Sequence, residues 1–219
     1  MRSKVKAKLE QIAQRRNCKV EEFRYIGFWG ANNHIREGWL SQWHMHPITL
    51  NKGFTETMPW KGIGAEVKLP ETELECIVTY PVDSITLPSA EHCMMYMKAM
   101  LFNDHDAMAE VCIAQTPAEA KAIGRKVKGY DNTKWDEVRY QVVKEINRIK
   151  FSSPEGLTVI RHFSKTSLGD RVVFVETSPY DNIWGIKSRE CVSPELWAGD
   201  NLLGFAHTDV YDELVWGLK

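Results

Sequence analysis

The stretch of the chain that decides its fold class reads RVVFVETSPYDNIWG, from Arg171 to Gly185. Its first part, Arg171–Thr177, is rich in valine and phenylalanine and predicts a buried β-strand. The second part, Ser178–Gly185, changes at once to polar and turn-forming residues. Side chains that follow a buried strand are rigidly placed and still reach solvent, which suits a catalytic carboxylate such as Asp181. An ordinary Asp-Asn turn explains Asp181 equally well, so both interpretations stay open.

Outward from this strand, the sequence is mainly helical. Ser89 is placed to cap a helix from Ala90 to about Phe102. The string from Thr116 to Glu119 combines an N-cap, a proline at the first helical position and a capping-box glutamate, and its helix should end near Val127. The other predicted helices cover about 3–16, 105–114, 135–150 and 154–165, with a last helix opened by Asn201.

The order of these elements predicts the fold class. The predicted strands are 22–29, 48–50, 74–82 and 171–177, and residues 51–70 resemble a surface excursion. Strands come first, then helices, then a strand and a helix. This order predicts one α+β, helix-rich single domain with a small β-sheet.

Composition excludes several protein classes. The 219 residues are 43% hydrophobic and 26% charged, as in soluble globular proteins. No run of 18 apolar residues occurs, and no apolar segment of a secretory signal follows the basic N-terminus, so we expect no membrane association. The five cysteines are odd in number and include no CxxC pair, which disfavours a disulfide framework or a thiolate zinc site. A reducing compartment, and hence a cytoplasmic location, is expected.

The N-terminal segment is basic while the rest of the chain is acidic. Residues 1–20 hold seven Lys/Arg and one acid, which leaves 21 basic and 28 acidic residues in 21–219. Val5, Leu9 and Ile12 recur at helical spacing. We therefore interpret residues 1–20 as a basic, loosely packed helix preceding a catalytic domain of residues 21–219. Its cations either contact a nucleic-acid backbone or form a solvated face.

Glu91 and Lys98 are seven positions apart and share one face of the predicted helix. A carboxylate within a mostly apolar helix is unfavourable unless it is paired or used in chemistry. A simpler explanation is that Glu91 stabilises the positive end of the helix dipole. The residues alone leave both explanations open.

Two further strings suggest phosphate binding. Gly199 allows close backbone approach at the start of the last helix, where free amides can bind an anion, and Asp200 or Asn201 can equally cap that helix. A basic cluster of Arg125, Lys126 and Lys128 lies close to Trp135. Together they can hold a pyrophosphate and stack a base, or form a solvated helix end beside a core tryptophan. His44 and His46 lack a third ligand, so no metal and no cofactor are expected.

Taken together, these strings resemble the NADAR family, which includes riboflavin-intermediate N-glycosidases. The resemblance extends over about residues 25–215 in the family's order. The strings that carry it are Leu40–Trp43, His46–Ile48, Ser89–His92, Met94–Tyr96, Lys98–Ala99, Pro117, Ala120–Lys121, Gly124–Arg125, Trp135, Lys150–Phe151, Glu176–Gly185 and Trp197–Gly204.

The resemblance implies a helix-rich α+β domain without metal and assigns site residues. The positions matching Glu91, Trp135 and Asp181 have roles in the family, and Lys98 matches a family lysine. We assign Glu91, Asp181 and Lys98 as catalytic candidates. The substrate-binding candidates are Trp135, Arg125, Trp184, Asn201 and Ser41.

The implied reaction is hydrolysis of an N-glycosidic bond to a phosphorylated ribose. Its transition state places positive charge on the sugar, which Glu91 and Asp181 would stabilise from a common cleft while they orient water. Alternatively, Lys98 would attack the anomeric carbon of an opened ring and form a Schiff base. Trp135 would stack on the base or ribose, and Arg125 would hold phosphate.

Three substrate interpretations remain. Residues 51–88 are longer than in compact riboflavin-type members, and the basic helix is extra, which favours removal of ADP-ribose from a nucleobase such as guanine in DNA. The alternatives are an N-glycosidase of phosphoribosylated riboflavin intermediates and a non-catalytic ADP-ribose or NAD binding module. The joint presence of Glu91, Lys98 and Asp181 disfavours the binding module. The sequence carries no indication of oligomeric state.

Overall fold

The computed structural model describes residues 1–31, 36–51, 84–165, 169–191 and 193–218. The helices in these ranges are α1 (Ser3–Arg15), α2 (Ala90–Leu101), α3 (His105–Ile113), α4 (Pro117–Gly124), α5 (Asn132–Ser152), α6 (Pro154–His162) and α7 (Leu202–Tyr211). The strands are β1 (Arg24–Phe28), β2 (Met45–Asn51), β3 (Ser84–Ser89) and β4 (Val172–Glu176). The described strands form two two-stranded sheets. The predicted α+β, helix-rich class is confirmed, with the sheet divided in two.

The chain divides into two compact units, hereafter the first unit (Met1–Ser41 with Phe151–Lys219) and the second unit (Gln42–Lys150). In the first unit, β1 and β4 pair in parallel, from Arg24 beside Val172 to Phe28 beside Glu176. The first four residues of β4 are completely buried, as expected of a parallel strand that is covered on both faces.

Helix α7 covers β4 at very close range. A Cβ atom on Gly204 would lie 2.3 Å from the carbonyl oxygen of Phe174, so the helix can approach the strand only with glycine there. One turn later, the Thr208 hydroxyl accepts the N–H of Phe174 at 3.0 Å and donates to the Gly204 carbonyl at 2.8 Å. The phenylalanine ring packs edge-on against Tyr211, with ring centroids 5.6 Å apart. This contact fixes the start of α7 relative to β4.

Cations of α1 and its C-cap bind two carboxylates at the end of α7. Lys8 and Arg15 contact Asp209 at 2.8 and 3.0 Å. Arg15 and Arg16 both bind Asp212, with 2.6 Å between Arg16 Nη2 and Asp212 Oδ1. Asp212 is completely buried and Arg16 nearly so. A buried carboxylate is tolerated because two guanidinium groups surround it.

The apolar side of α1 is equally well packed. Val5, Leu9 and Ile12 are completely buried. The expectation of a loosely packed helix is therefore wrong, and so is the expectation of a wholly solvated cationic face. The error arose because a basic helix far from its acidic partners in sequence looks like a surface helix. The division of function at residue 20 stays a prediction.

In the second unit, β2 and β3 pair antiparallel and β3 leads directly into α2. The Ser89 hydroxyl caps α2 by accepting the N–H of His92 at 3.4 Å, as predicted. Every residue of α2 except Lys98 is buried. A Cβ atom on Gly124 would lie 1.9 Å from the sulfur of Met95, so α4 packs on α2 through that glycine.

Several predicted boundaries differ from the structure. Helix α4 ends at Gly124 instead of Val127, and α5 is longer than predicted at both ends. Thr116 caps α4 as predicted, but the Glu119 carboxylate accepts the N–H of Gln115 at 2.7 Å instead of closing a box with Thr116.

Among the strands, β3 was not predicted, because its sequence SITLPS contains a proline and polar residues. The predicted strand 74–82 and residues 52–70 of the predicted excursion lie outside the described residues. No helix in the described ranges combines the length and the apolar character needed to cross a bilayer.

The Asp212 cluster makes stability sensitive to one carboxylate. Asp212→Asn should lower the free energy of unfolding by about 3–5 kcal/mol, because it leaves the nearly buried Arg16 without its counter-charge. Urea unfolding followed by circular dichroism measures this. The control is Glu10→Gln, which removes an exposed pair with Lys6 at 3.8 Å and should change stability by less than about 0.5 kcal/mol. Equal effects of the two substitutions would show that the cluster does not stabilise the fold.

Candidate active site

Glu91 lies in the first turn of α2, directly after the turn from β3 into the helix. Its backbone N–H donates to the carbonyl of Gln42 at 3.0 Å, and the residue is only 2% exposed. The helix N-terminus carries partial positive charge, which favours the ionised carboxylate. The structure thus holds Glu91 as a buried acid with a rigid backbone, the form that an electrostatic catalyst requires.

Lys150 is a second buried ionisable group of the second unit. It interacts electrostatically with Cys93 and with His44. Burial lowers the pKa of Lys150 from 10.5 to about 7, against a smaller opposing effect of Cys93. Burial, with the charge of Lys150, lowers the pKa of His44 to about 4. Burial also raises the pKa of the Cys93 thiol. A lysine with a pKa near 7 is substantially neutral at physiological pH, and a neutral amine is a nucleophile.

The sequence contained a signal for Lys150 that our predictions left unused. Val143, Ile146, Asn147 and Lys150 follow helical spacing on one face of α5, and all four are buried. A lysine at the next position of an otherwise buried helical face is unfavourable unless its charge is lost or compensated. Lys150 also stands in one of the strings that carry the family resemblance.

Lys98, the lysine predicted to be catalytic, has a structural contact. Its Nζ donates to the carbonyl of Gly124 at 2.7 Å and lies 4.0 Å from the centre of the Tyr130 ring. Partial burial lowers its pKa. The seven-residue spacing separates Lys98 from Glu91 by about 10 Å along the helix axis. The amine therefore anchors the end of α4, and its catalytic role stays a prediction.

The other candidates of the second unit differ in exposure. Arg125 is exposed at the end of α4, next to the exposed Lys126. Among the described residues, neither forms a salt bridge, so both cations are available for an anion. Trp135 is buried in α5 and lines the core of the unit. Its predicted role in stacking a base stays a prediction.

In the first unit, Asp181 holds the turn that follows β4. Its Oδ1 accepts the N–H groups of Ile183 at 2.9 Å and Trp184 at 2.8 Å, which makes an Asx turn. Asp181 is half-buried, and no further side-chain hydrogen bond is found for it within the described ranges. One carboxylate oxygen of Asp181 therefore has a structural role. The half-buried Trp184 is positioned by the same turn.

The amides at the start of α7 are already used. The N–H groups of residues 200–203 donate to carbonyls of Asn182, Gly185, Ile183 and Trp184 at 3.0 to 3.2 Å. A Cβ atom on Gly199 would lie 2.0 Å from the carbonyl oxygen of Gly185, so glycine is needed for this approach. The prediction of free amides that bind phosphate is therefore wrong for these four residues. Carbonyl groups of the turn that Asp181 organises already accept the N–H groups that a phosphate would need.

Asn201 connects this turn to β4. Its Oδ1 accepts the N–H of Glu176 at 2.9 Å, and its Nδ2 donates to the carbonyl of Phe174 at 3.0 Å. The residue is completely buried with a left-handed φ of 55° and makes no side-chain cap, contrary to the capping interpretation. The side chain is occupied by the fold, and its role in substrate binding stays a prediction. Ser41 is buried and is the last residue of the N-terminal part of the first unit. Its role in substrate binding also stays a prediction.

Glu91 belongs to the second unit and Asp181 to the first. Their common cleft stays a prediction. Among the residues that the structure describes, no three His, Cys, Asp or Glu side chains group as a metal would require.

Comparison with known proteins assigns this set of residues to a family. A model of the NADAR domain matches residues 27–215. This chain belongs to the NADAR family. All eight predicted site residues, and Lys150, lie inside the matched range. The basic helix α1 precedes the NADAR match, although its arginines bind Asp212 within that match.

Relatives of this NADAR chain include viral and animal proteins. It is 38% identical over 120 residues to N-glycosidase R617 of Acanthamoeba polyphaga mimivirus, which covers 53% of this chain and 68% of the relative. It is 31% identical over 137 residues to Protein irg-1 of Caenorhabditis elegans, which covers 57% of this chain and 59% of the relative. The fold is similar to the NMR structure of the E. coli protein YbiA, with a TM-score of 0.58, 19% identity and coverage of 88% and 86%.

We expect the titration of Lys150 to affect how the free energy of unfolding depends on pH. Because the folded pKa is near 7 and the unfolded pKa near 10.5, the unfolded chain binds more protons between these values. The free energy of unfolding should rise with pH from about 7 to 10.5, and this contribution is constant below pH 7. Lys150→Met should remove the slope and stabilise the protein by a few kcal/mol, to order of magnitude, at pH 7.

The direct measurement is a ¹³C NMR titration of the lysine ε-carbons, combined with urea unfolding at pH 7 and pH 9. One lysine should titrate near pH 7 and be missing in Lys150→Met. Lys134→Met, which replaces an exposed lysine of the same helix, is the matched control and should leave that signal unchanged. If all lysines titrate above pH 9, the neutral amine assigned to Lys150 does not exist.

Proposed function

We propose that this chain hydrolyses an N-glycosidic bond and releases ADP-ribose from a modified nucleobase such as guanine in DNA. Membership of the NADAR family and the relative named N-glycosidase support N-glycosidase activity in general. The observation that carries the proposal is the buried Glu91 in the first turn of α2. A pure binding module has no need of such a carboxylate, because ADP-ribose in its ground state carries no positive charge on the ribose.

The role of Glu91 follows from where charge develops. As the bond between the anomeric carbon and the base nitrogen lengthens, positive charge builds up on the sugar. A buried carboxylate stabilises that charge more strongly than a solvated one, because little water screens it. In a direct displacement, the unbound oxygen of Asp181 would orient the attacking water, while its other oxygen keeps the turn rigid.

In the second route, a lysine amine takes part covalently. The ring opens as the C1–O4 bond breaks, O4 takes up a proton, and the amine adds to C1. The bond between C1 and the base then breaks, and the base leaves with a proton while C1 and the lysine nitrogen form a C=N bond. Water hydrolyses this imine, which releases ADP-ribose and regenerates the amine. The route needs an amine that is neutral near pH 7. Lys150 fits this need, because burial lowers its pKa to about 7.

The choice of substrate rests on surface cations and on the length of the segment 51–88. The pyrophosphate of ADP-ribose needs fixed positive charge, which Arg125 and Lys126 offer at the exposed end of α4. The long segment 51–88 supports a macromolecular substrate. The support from the basic N-terminal helix is weaker than the sequence indicated, because Lys8, Arg15 and Arg16 are bound to Asp209 and Asp212. A cytoplasmic location belongs to the same proposal.

Substitution of Glu91 separates catalysis from binding. Glu91→Gln should lower kcat on an ADP-ribosylated oligonucleotide by about 10²–10³-fold, because it removes the charge that opposes the developing cation. The Kd for free ADP-ribose should change little. Product formation is followed by mass spectrometry, with phosphoribosylated riboflavin precursors as the alternative substrate. Glu155→Gln, an exposed first-turn acid of α6, is the matched control.

Full activity of Glu91→Gln would reduce Glu91 to a helix-start residue. Turnover of the riboflavin precursors alone would replace the proposed substrate. Tight binding of ADP-ribose without turnover of any substrate by the wild type would establish the binding module.

Borohydride trapping distinguishes the two routes. If the imine forms on Lys150, sodium borohydride added during turnover should reduce it to a stable amine, and the protein should gain the mass of the reduced ADP-ribosyl group. Lys150→Met should give no adduct, whereas Lys98→Met should still give one. Absence of any adduct from the wild type during rapid turnover would exclude the imine route and favour water activated by Glu91 and Asp181.

A further inference from the structure

Two large aromatic side chains lie exposed and in contact at one edge of the first unit. Trp29 is 48% exposed and Tyr180 is 75% exposed. Their ring centroids are 6.2 Å apart, with an angle of 59° between the ring planes. Single exposed apolar residues are common on protein surfaces, whereas contiguous exposed apolar patches mark interaction sites.

A cation completes the cluster. The guanidinium carbon of Arg189 lies 5.8 Å from the centre of the Trp29 ring, and Arg189 Nη2 donates to the Tyr180 hydroxyl at 3.3 Å. In the part of the chain that the structure describes, neither Arg189 nor the neighbouring exposed Lys187 forms a salt bridge with a carboxylate. The surface of Trp29, Tyr180 and Arg189, hereafter the aromatic platform, therefore combines exposed ring faces with a cation that is not held in a salt bridge within the described ranges.

The sheet explains why these residues meet. Trp29 follows the last residue of β1, and Tyr180 lies four residues after β4 ends. Because β1 and β4 are parallel, their carboxyl ends share one edge. Thr177 extends the pairing by donating its N–H to the Phe28 carbonyl at 2.9 Å. Ligands of parallel sheets bind beyond the carboxyl ends of the strands, which is where the platform lies.

The platform is also linked to a predicted catalytic group. Tyr180 immediately precedes Asp181, whose Oδ1 is fixed in the Asx turn. A ligand that stacks on Tyr180 is therefore held next to Asp181. The platform does not include Trp135 or Arg125, the residues to which the sequence assigned base stacking and phosphate binding.

From these contacts we infer that the aromatic platform binds an unmodified nucleotide of a single-stranded nucleic acid, next to the modified base that is hydrolysed. The inference rests on the proposed function for its biological meaning. A nucleobase stacks on exposed rings without a demand for sequence, and the adjacent phosphate is attracted by Arg189 and Lys187. A duplex hides its base faces and cannot stack in this way.

The test measures binding separately from hydrolysis. The full chain is titrated into a fluorescein-labelled, unmodified twelve-residue oligothymidylate, and the Kd is read from anisotropy. Trp29→Ala and Tyr180→Ala should each weaken binding by about 5- to 140-fold, since base–aromatic stacking contributes about 1–3 kcal/mol per base. Tyr180→Phe keeps the ring and should stay near the wild-type Kd. Trp216→Ala, at an exposed aromatic outside the platform, is the matched control.

Charge is tested in the same assay. Arg189→Gln should reduce the slope of log Kd against log salt by about 1, whereas Arg161→Gln on the exposed face of α6 should leave it unchanged. A duplex of the same length should bind more weakly than the single strand. Equal Kd values for wild type, Trp29→Ala and Tyr180→Ala, or tighter binding of the duplex, would overturn the platform.

Failure of the platform and failure of the proposed function give different results. Hydrolysis of an ADP-ribosylated mononucleoside by the wild type needs no flanking nucleotide, so it reports the proposed function alone. Hydrolysis combined with unchanged oligonucleotide binding in the variants removes the platform and leaves the activity. Platform-dependent binding without hydrolysis of either substrate supports a single-strand binding surface and removes the hydrolase.

Discussion

Burial of ionisable side chains is unfavourable, and the fold depends on how this protein accommodates them. Asp212 keeps its place in the first unit because Arg15 and Arg16 bind it. In the second unit, burial lowers the pKa of Lys150 to about 7. The Asp212 cluster stabilises the fold, whereas we propose that Lys150 takes part in the chemistry.

Rigid placement of Asp181 comes from the backbone of its neighbours. The carbonyls of residues 182–185 accept the N–H groups that begin α7, and Asn201 ties the same region to β4. These contacts leave the turn little freedom to move. A carboxylate on such a turn loses little entropy when it orients a water or a substrate, which is how preorganised sites lower activation barriers.

The sequence predicted what depends on near neighbours and failed where partners are distant. Ser89 and Thr116 were correctly predicted as caps because each partner amide lies three residues away. Asn201 was misinterpreted as a cap because its partners, Phe174 and Glu176, are on β4. The arginines of the N-terminal helix looked solvated because Asp212 is 196 residues from Arg16. For the same reason, the environment of Lys150 depends on His44 and Cys93, which no local pattern brings together.

N-glycosidase activity of this NADAR chain requires that water is the final acceptor of the sugar. Turnover of an ADP-ribosylated oligonucleotide in H₂¹⁸O, followed by mass spectrometry of the products, measures this. We expect unmodified oligonucleotide together with free ADP-ribose that carries one ¹⁸O atom. Unchanged substrate, or release of ADP-ribose without ¹⁸O, would rule out hydrolysis of this substrate.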